Sequence, residues 1–147
     1  MKKIINLFSF LLMLLGSYPA ISWATPYNIA PQARVSASSS IDAGHDAAKV
    51  TDGLIRVPGK GEWVSKSTET FWGQIDYPWI QLDWERPVNI NKIILYDRPA
   101  MEAHVAGGVL HFSDGSTINV WGMANDGTPK EIEFESRKVE WVRFEVT

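Results

Sequence analysis

An acidic and a basic side chain stand next to each other at the end of an apolar run. Residues 93–96 are Ile-Ile-Leu-Tyr, and Asp97, Arg98 and Pro99 follow without a spacer. Such a run favours a β-strand, and a proline ends it because proline has no N–H to donate to the ladder. The guanidinium of Arg98 is a rigid fork of donors that suits paired hydroxyls or a carboxylate. We therefore predict that Arg98 contacts a ligand from a loop.

Asp97 is a second candidate for the same contact. Adjacent residues of an extended chain point to opposite sides, so only one of the pair faces a given ligand. The alternative is that Asp97 caps the loop and that Arg98 pairs with a surface acid.

Two aromatic residues, Trp72 and Tyr77, and one histidine, His104, are the other candidate ligand contacts. Trp72 and Tyr77 lie in residues 65–78, a stretch without a clear hydrophobic period that indicates a long loop. An exposed ring covers the apolar face of a sugar while polar groups meet its hydroxyls, so both rings suit a shallow glycan site. Alternatively, they fold back over one end of the core. His104, in the loop after Arg98, is a further predicted contact. The three histidines lack metal-site spacing.

Composition excludes several classes of function. The 147 residues have a formal net charge of −3 and no cluster of Lys and Arg, which argues against a nucleic-acid partner. The absence of cysteine excludes disulfides, thiolate zinc sites and a cysteine nucleophile. Residues 113–116, Ser-Asp-Gly-Ser, do not form the Gly-x-Ser-x-Gly pattern of a nucleophile elbow. We predict that the protein is not an enzyme.

The first residues have the pattern of a secretory signal peptide. Lys2 and Lys3 precede an apolar stretch at residues 7–15, and residues 22–24, Ser-Trp-Ala, resemble a cleavage site. We predict a signal peptide at residues 1–24, one domain at residues 25–147, and a secreted or periplasmic protein. The apolar run is shorter than the roughly 20 residues of a membrane span, and we predict none in the mature chain. The sequence does not indicate an oligomeric state.

Alternating apolar and polar residues predict the fold class. Residues 79–84, 130–135 and 139–146 alternate with the period of two that is typical of strands covering a core, and residues 88–96 form a further strand that ends in the apolar run at 93–96. Asp114 and Gly115 separate two further short strands and give the strongest hairpin signal of the chain. Short strands with turn residues between them predict an all-β protein, an antiparallel β-sandwich or jelly roll.

Several motifs occur in an order that resembles a known family. They are Thr51-Asp52-Gly53, Glu62-Trp63, residues 79–82, residues 88–99 with Leu-Tyr-Asp-Arg-Pro, residues 112–116, and Trp-Val-Arg-Phe at 141–144. In this order the chain resembles the discoidin or coagulation-factor type C family, which has the galactose-binding-like jelly-roll fold. The resemblance implies a non-catalytic module that binds carbohydrate, or in some relatives anionic lipid or protein, often attached to a glycan-processing enzyme. The alternative is a structural or protein-interaction module, a fragment of a larger surface or glycan-processing protein.

The same resemblance implies a structural calcium ion. Asp52 matches the position at which relatives supply a carboxylate, and Lys49 and its neighbours would give backbone oxygens. A plain turn-forming aspartate is the competing interpretation. Family members usually continue past the Trp-Val-Arg-Phe strand into a final strand, whereas this sequence stops at Thr147. We therefore expect either a fragment or a domain that has lost its final strand.

Overall fold

The computed structural model describes residues 27–55, 57, 61–66, 77–99 and 104–147. Its strands are β1 (Arg34–Ala37), β2 (Trp79–Tyr96), β3 (Gly107–Phe112), β4 (Thr117–Trp121) and β5 (Pro129–Val146). Three short 3₁₀ helices span Ala30–Gln32, Ala43–His45 and Ala47–Thr51. None of the helices in these described ranges is long and apolar enough to cross a membrane. The predicted signal peptide lies outside the described residues.

The strands form two layers. All strand pairs are antiparallel, and the order in the sheet is β1-β2-β5-β3-β4. Residues 79–83 of β2 and 141–145 of β5 lie in the five-stranded part, whereas residues 92–96 and 129–133 of the same two strands pair with each other as a ribbon. The ring centroid of Phe134, the residue that follows the ribbon half of β5, lies 5.4 Å from the ring centroid of Phe112 in the sheet. The ribbon therefore folds over the sheet. The predicted antiparallel β-sandwich is confirmed.

The two long strands differ from the prediction in their continuity. The predicted strands at residues 79–84 and 88–96, on either side of Pro87, form one strand, β2. The predicted strands at residues 130–135 and 139–146 likewise form one strand, β5. The register of β2 against β5 shifts between Asp83 and Val88 and again between Ile90 and Lys92. A proline is tolerated at such an irregularity because its position has no ladder hydrogen bond to lose.

The core lies between the sheet and the ribbon. Its most buried side chains are Leu110, Phe112, Val120 and Val139, and the rings of Trp63 and Trp84 pack against it. The guanidinium of Arg137 stacks on Phe112 and on Phe134, with its carbon 4.4 and 4.7 Å from the two ring centroids. Such cation–π contacts cover the edge of the core with a charged group that does not have to leave water completely.

One end of the sandwich gathers most of the loops. The register places the end of β1 and the start of β2 beside the end of β5, and the start of β3 opposite the end of β4. The ribbon half of β2 leads back to this end, because the carboxylate of Asp97 accepts the N–H of Val105, two residues before β3. We call this the loop end.

Candidate functional site

His45 is held in place at the loop end by one carboxylate oxygen. Asp42 Oδ1 accepts the backbone N–H groups of Gly44 at 2.8 Å and of His45 at 3.0 Å, as the N-cap of the helix Ala43–His45. The same oxygen lies 2.9 Å from His45 Nδ1. An ionised carboxylate only accepts, so Nδ1 carries the proton and Nε2 points away from Asp42. The hydrogen bond from His45 is the main reason that the pKa of Asp42 is lowered.

Glu62 is brought to this histidine by two irregular segments that lie side by side. The N–H of Ile41 donates to the carbonyl of Val64 at 2.8 Å, and the N–H of Val64 donates to the carbonyl of His45 at 3.3 Å. Trp63 turns towards the core, with its Nε1 donating to the carbonyl of Ser39 at 2.8 Å. Residues 62–65 form no strand, although Trp63 and Val64 have side chains that favour one. Because neighbouring residues of an extended segment alternate in direction, Glu62 faces away from the core.

Asp97 fixes the loop that carries Arg98. Its carboxylate is 6% exposed, and it accepts the N–H of Arg98 at 2.9 Å and of Val105 at 3.0 Å, one bond on each oxygen. Burial raises the pKa of Asp97, while the two backbone hydrogen bonds and the charges of His104 and Arg98 oppose that rise. Asp97 therefore caps the loop that carries Arg98, which is the geometry of one of the two alternatives that its sequence leaves open.

We predict that Asp97→Asn destabilises the protein at neutral pH and changes the pH dependence of its stability. An amide can accept only one of the two N–H groups and presents its NH₂ to the other, at a cost of about 1–3 kcal/mol. In the wild type, the raised pKa of Asp97 means that the native state binds this proton more tightly than the unfolded state. Its contribution to the free energy of unfolding therefore falls as pH rises from the ordinary aspartate range through the native pKa.

Urea unfolding at a series of pH values between about 3 and 7 measures this difference. The wild type minus the variant isolates the Asp97 contribution, which should decline with rising pH across that window. Parallel stability profiles for the two proteins would show that Asp97 does not titrate in this way.

Glu62, His45 and Arg98 lie close together without forming direct hydrogen bonds to one another. Glu62 Oε1 lies 3.7 Å from His45 Nε2 and 3.8 Å from Arg98 Nη1, so both distances exceed hydrogen-bond length. The carboxylate of Glu62 and the guanidinium of Arg98 attract each other as opposite charges. An oxygen atom beside the cluster can be about 2.8 Å from both partners of either pair. A hydroxyl there would donate to Glu62 and accept from Arg98, because a carboxylate is only an acceptor and a guanidinium is only a donor.

The predicted contacts differ in how they relate to this cluster. Arg98 lies in it, and His104 is exposed close enough to Asp97 for its charge to influence that carboxylate. Tyr77 is exposed at the loop end, two residues before β2 begins. Trp72 lies outside the described residues.

The prediction missed His45, Glu62 and Asp42 as members of the site. Asp42 three residues before His45 is a capping signal that could have indicated an oriented imidazole. No pattern in the sequence predicts that Glu62 lies beside His45, because hydrogen bonds between two irregular segments bring them together.

The residues predicted to hold calcium form a tight turn. Asp52 Oδ1 accepts the N–H of Leu54 at 2.9 Å, and the Lys49 carbonyl faces the N–H of Asp52 at 3.5 Å. Both supply the hard oxygens that calcium prefers, but the ion takes six to eight of them. Within the described ranges, no three His, Cys, Asp or Glu side chains gather where they could hold a metal. Most of a calcium shell here would therefore consist of backbone carbonyls.

The chain is similar to a family model and to several solved binding modules. Residues 28–147 match the model of a family described as a domain of unknown function, DUF7402. No curated protein matches the chain. The chitosan-binding module 1 from a chitosanase/glucanase of Paenibacillus sp. IK-5 superposes with a TM-score of 0.65 at 21% identity, over 83% of this chain and 87% of that module.

Two further structures show the same fold. The fucose binding module of Streptococcus pneumoniae has a TM-score of 0.63 at 13% identity, over 82% of this chain and 84% of its own. The lectin domain of lectinolysin, complexed with Lewis B antigen, has a TM-score of 0.62 at 19% identity, over 84% and 87%. These matches confirm the predicted resemblance to the galactose-binding-like, discoidin-like fold.

Proposed function

The chain belongs to the DUF7402 family and has the fold of carbohydrate-binding modules, and from this and its loop end we propose that it is a non-catalytic module that binds a glycan. The ligand site is the cluster of Arg98, Glu62 and His45. Tyr77, His104 and Trp72 are further proposed contacts around it, and Asp97 holds the Arg98 loop in place.

A single observation carries this proposal: the unfilled hydrogen-bond distances around Glu62. Its carboxylate stands 3.7 and 3.8 Å from two nitrogen groups, in a cluster of donors and acceptors at one surface. Sugars present hydroxyls that both donate and accept, so such a cluster can satisfy them in the plane of the ring. Similar structures support the same interpretation, since two of them are chitosan-binding and fucose-binding modules and a third is a lectin domain in complex with Lewis B antigen.

We also propose that the module has no catalytic activity and that it is secreted or periplasmic. The similar structures are binding modules rather than the enzymes to which some of them belong, which supports a protein without catalytic activity. Secretion or transport to the periplasm is proposed from the signal-peptide pattern of residues 1–24.

We expect the purified protein to bind a defined subset of glycans on a glycan array, and calorimetric titration with a hit to give one site per chain. Arg98→Ala should abolish the array signal, because it removes the donors that face Glu62, while the thermal unfolding temperature stays within a few degrees. An array without any hit would contradict the proposal. That result would favour the alternative, a structural or protein-interaction module.

We also propose that a calcium ion binds the turn of Lys49 and Asp52. A ligand that binds only the folded state raises stability by mass action, so 1 mM Ca²⁺ should raise the unfolding temperature relative to excess chelator. In Asp52→Ala the difference should disappear. Equal unfolding temperatures of the wild type with calcium and with chelator would leave the plain Asx turn as the role of Asp52.

A further inference from the structure

Three large apolar side chains stand exposed in one loop close to the proposed glycan site. Leu54, Ile55 and Val57 are 47%, 46% and 39% exposed. Single exposed apolar side chains are normal on any protein, whereas a group of them rimmed by polar residues is typical of a binding surface. We call these three residues the apolar loop.

The apolar loop is fixed against the residue that precedes Glu62. Asp52 holds the N–H of Leu54 at 2.9 Å, and Gly61 has a φ of +70°, which favours glycine. A Cβ placed on Gly61 would lie 2.4 Å from both the Cβ and the carbonyl oxygen of Leu54. Leu54 therefore packs directly on Gly61, and the next residue along the chain is Glu62. Through this contact the apolar loop lies beside the chain segment that carries Glu62.

We propose that this site selects sugars that carry a methyl group, as in an N-acetyl or a 6-deoxy sugar, with the methyl on the apolar loop and a hydroxyl at Glu62. This inference rests on the proposed glycan-binding function. Binding sites combine apolar walls with a few placed polar groups, and here Gly61 lies against Leu54 and immediately precedes Glu62 in the chain. A methyl against Leu54 and Ile55 leaves water on binding, whereas a hydroxyl in that position would lose its hydrogen bonds to water.

Pairs of sugars that differ at this one group test the proposal. N-acetylglucosamine is compared with N-formylglucosamine, and L-fucose with L-galactose, by calorimetric titration of the purified protein. In whichever pair binds, the member with the methyl group should bind about fourfold more tightly, the effect of one buried methyl. The double variant Leu54→Ser, Ile55→Ser should lose this preference and keep its affinity for the other member within about twofold.

A matched control and two outcomes decide the result. Ile94 is 41% exposed on the ribbon half of β2, so Ile94→Ser removes a similarly exposed side chain from another surface and should keep the preference. Equal affinities within the pairs, or array hits that carry neither an N-acetyl nor a 6-deoxy group, would overturn the methyl selection while glycan binding stands. An array without hits would instead contradict the proposed function itself.

Discussion

Phe112→Ala should lower the free energy of unfolding by about 3–5 kcal/mol, the usual cost of truncating a fully buried phenylalanine. Phe112 is 1% exposed, and its ring has Phe134 edge-on on the ribbon side and the guanidinium of Arg137 over it. Truncation would remove the contact that joins the sheet to the ribbon and would leave Arg137 without one of its two rings. Chemical denaturation monitored by tryptophan fluorescence measures the loss.

A control and a milder variant keep this prediction testable. Trp121 is 62% exposed, so Trp121→Ala removes a larger ring and should cost less than about 1 kcal/mol. If Phe112→Ala does not fold, Phe112→Leu should fold with a smaller loss, because leucine retains most of the apolar volume. A cost of Phe112→Ala no larger than that of Trp121→Ala would show that Phe112 does not join the two layers.

Glu62→Gln should weaken glycan binding by about 10- to 100-fold, the range expected when a hydrogen bond to a charged group is lost. The amide keeps the size of the side chain but removes the charge that lies 3.7 Å from His45 and 3.8 Å from Arg98. It also replaces an acceptor with a donor on one side, so a sugar hydroxyl can no longer find the same pattern. Titration with a glycan-array hit gives the change in Kd.

A glutamate-to-glutamine substitution on another surface tests whether the loss of affinity comes from the site at Glu62 or only from the change in net charge. Glu133 is an exposed glutamate of the ribbon that pairs with Lys92 at 2.8 Å, so Glu133→Gln changes the net charge equally. Its affinity should match that of the wild type. Equal affinity of Glu62→Gln and Glu133→Gln would place the ligand elsewhere on the molecule.

The sequence predicted the local parts of this protein better than their assembly. The fold class followed from alternation, and Arg98 with Asp97 stood out because a strand and a proline frame them within seven residues of chain. Proline rules are local, so they did not show that Pro87 sits where the register shifts and the strand can continue. Glu62 and His45 lie on separate irregular segments, and no periodicity connects such segments before the chain has folded.

The long pairing of β2 with β5 has a consequence for how fast the protein folds. Trp79 pairs with Glu145 and Ile80 with Phe144, so the centre of the sheet joins residues that are far apart in the chain. Pairing of this kind must close a large loop before it gains any stabilising contact, which makes such topologies fold slowly. The sheet cannot be completed until the last residues of β5 are available. A nascent chain that has emerged only as far as β4 therefore lacks the strand that lies at the centre of its own sheet.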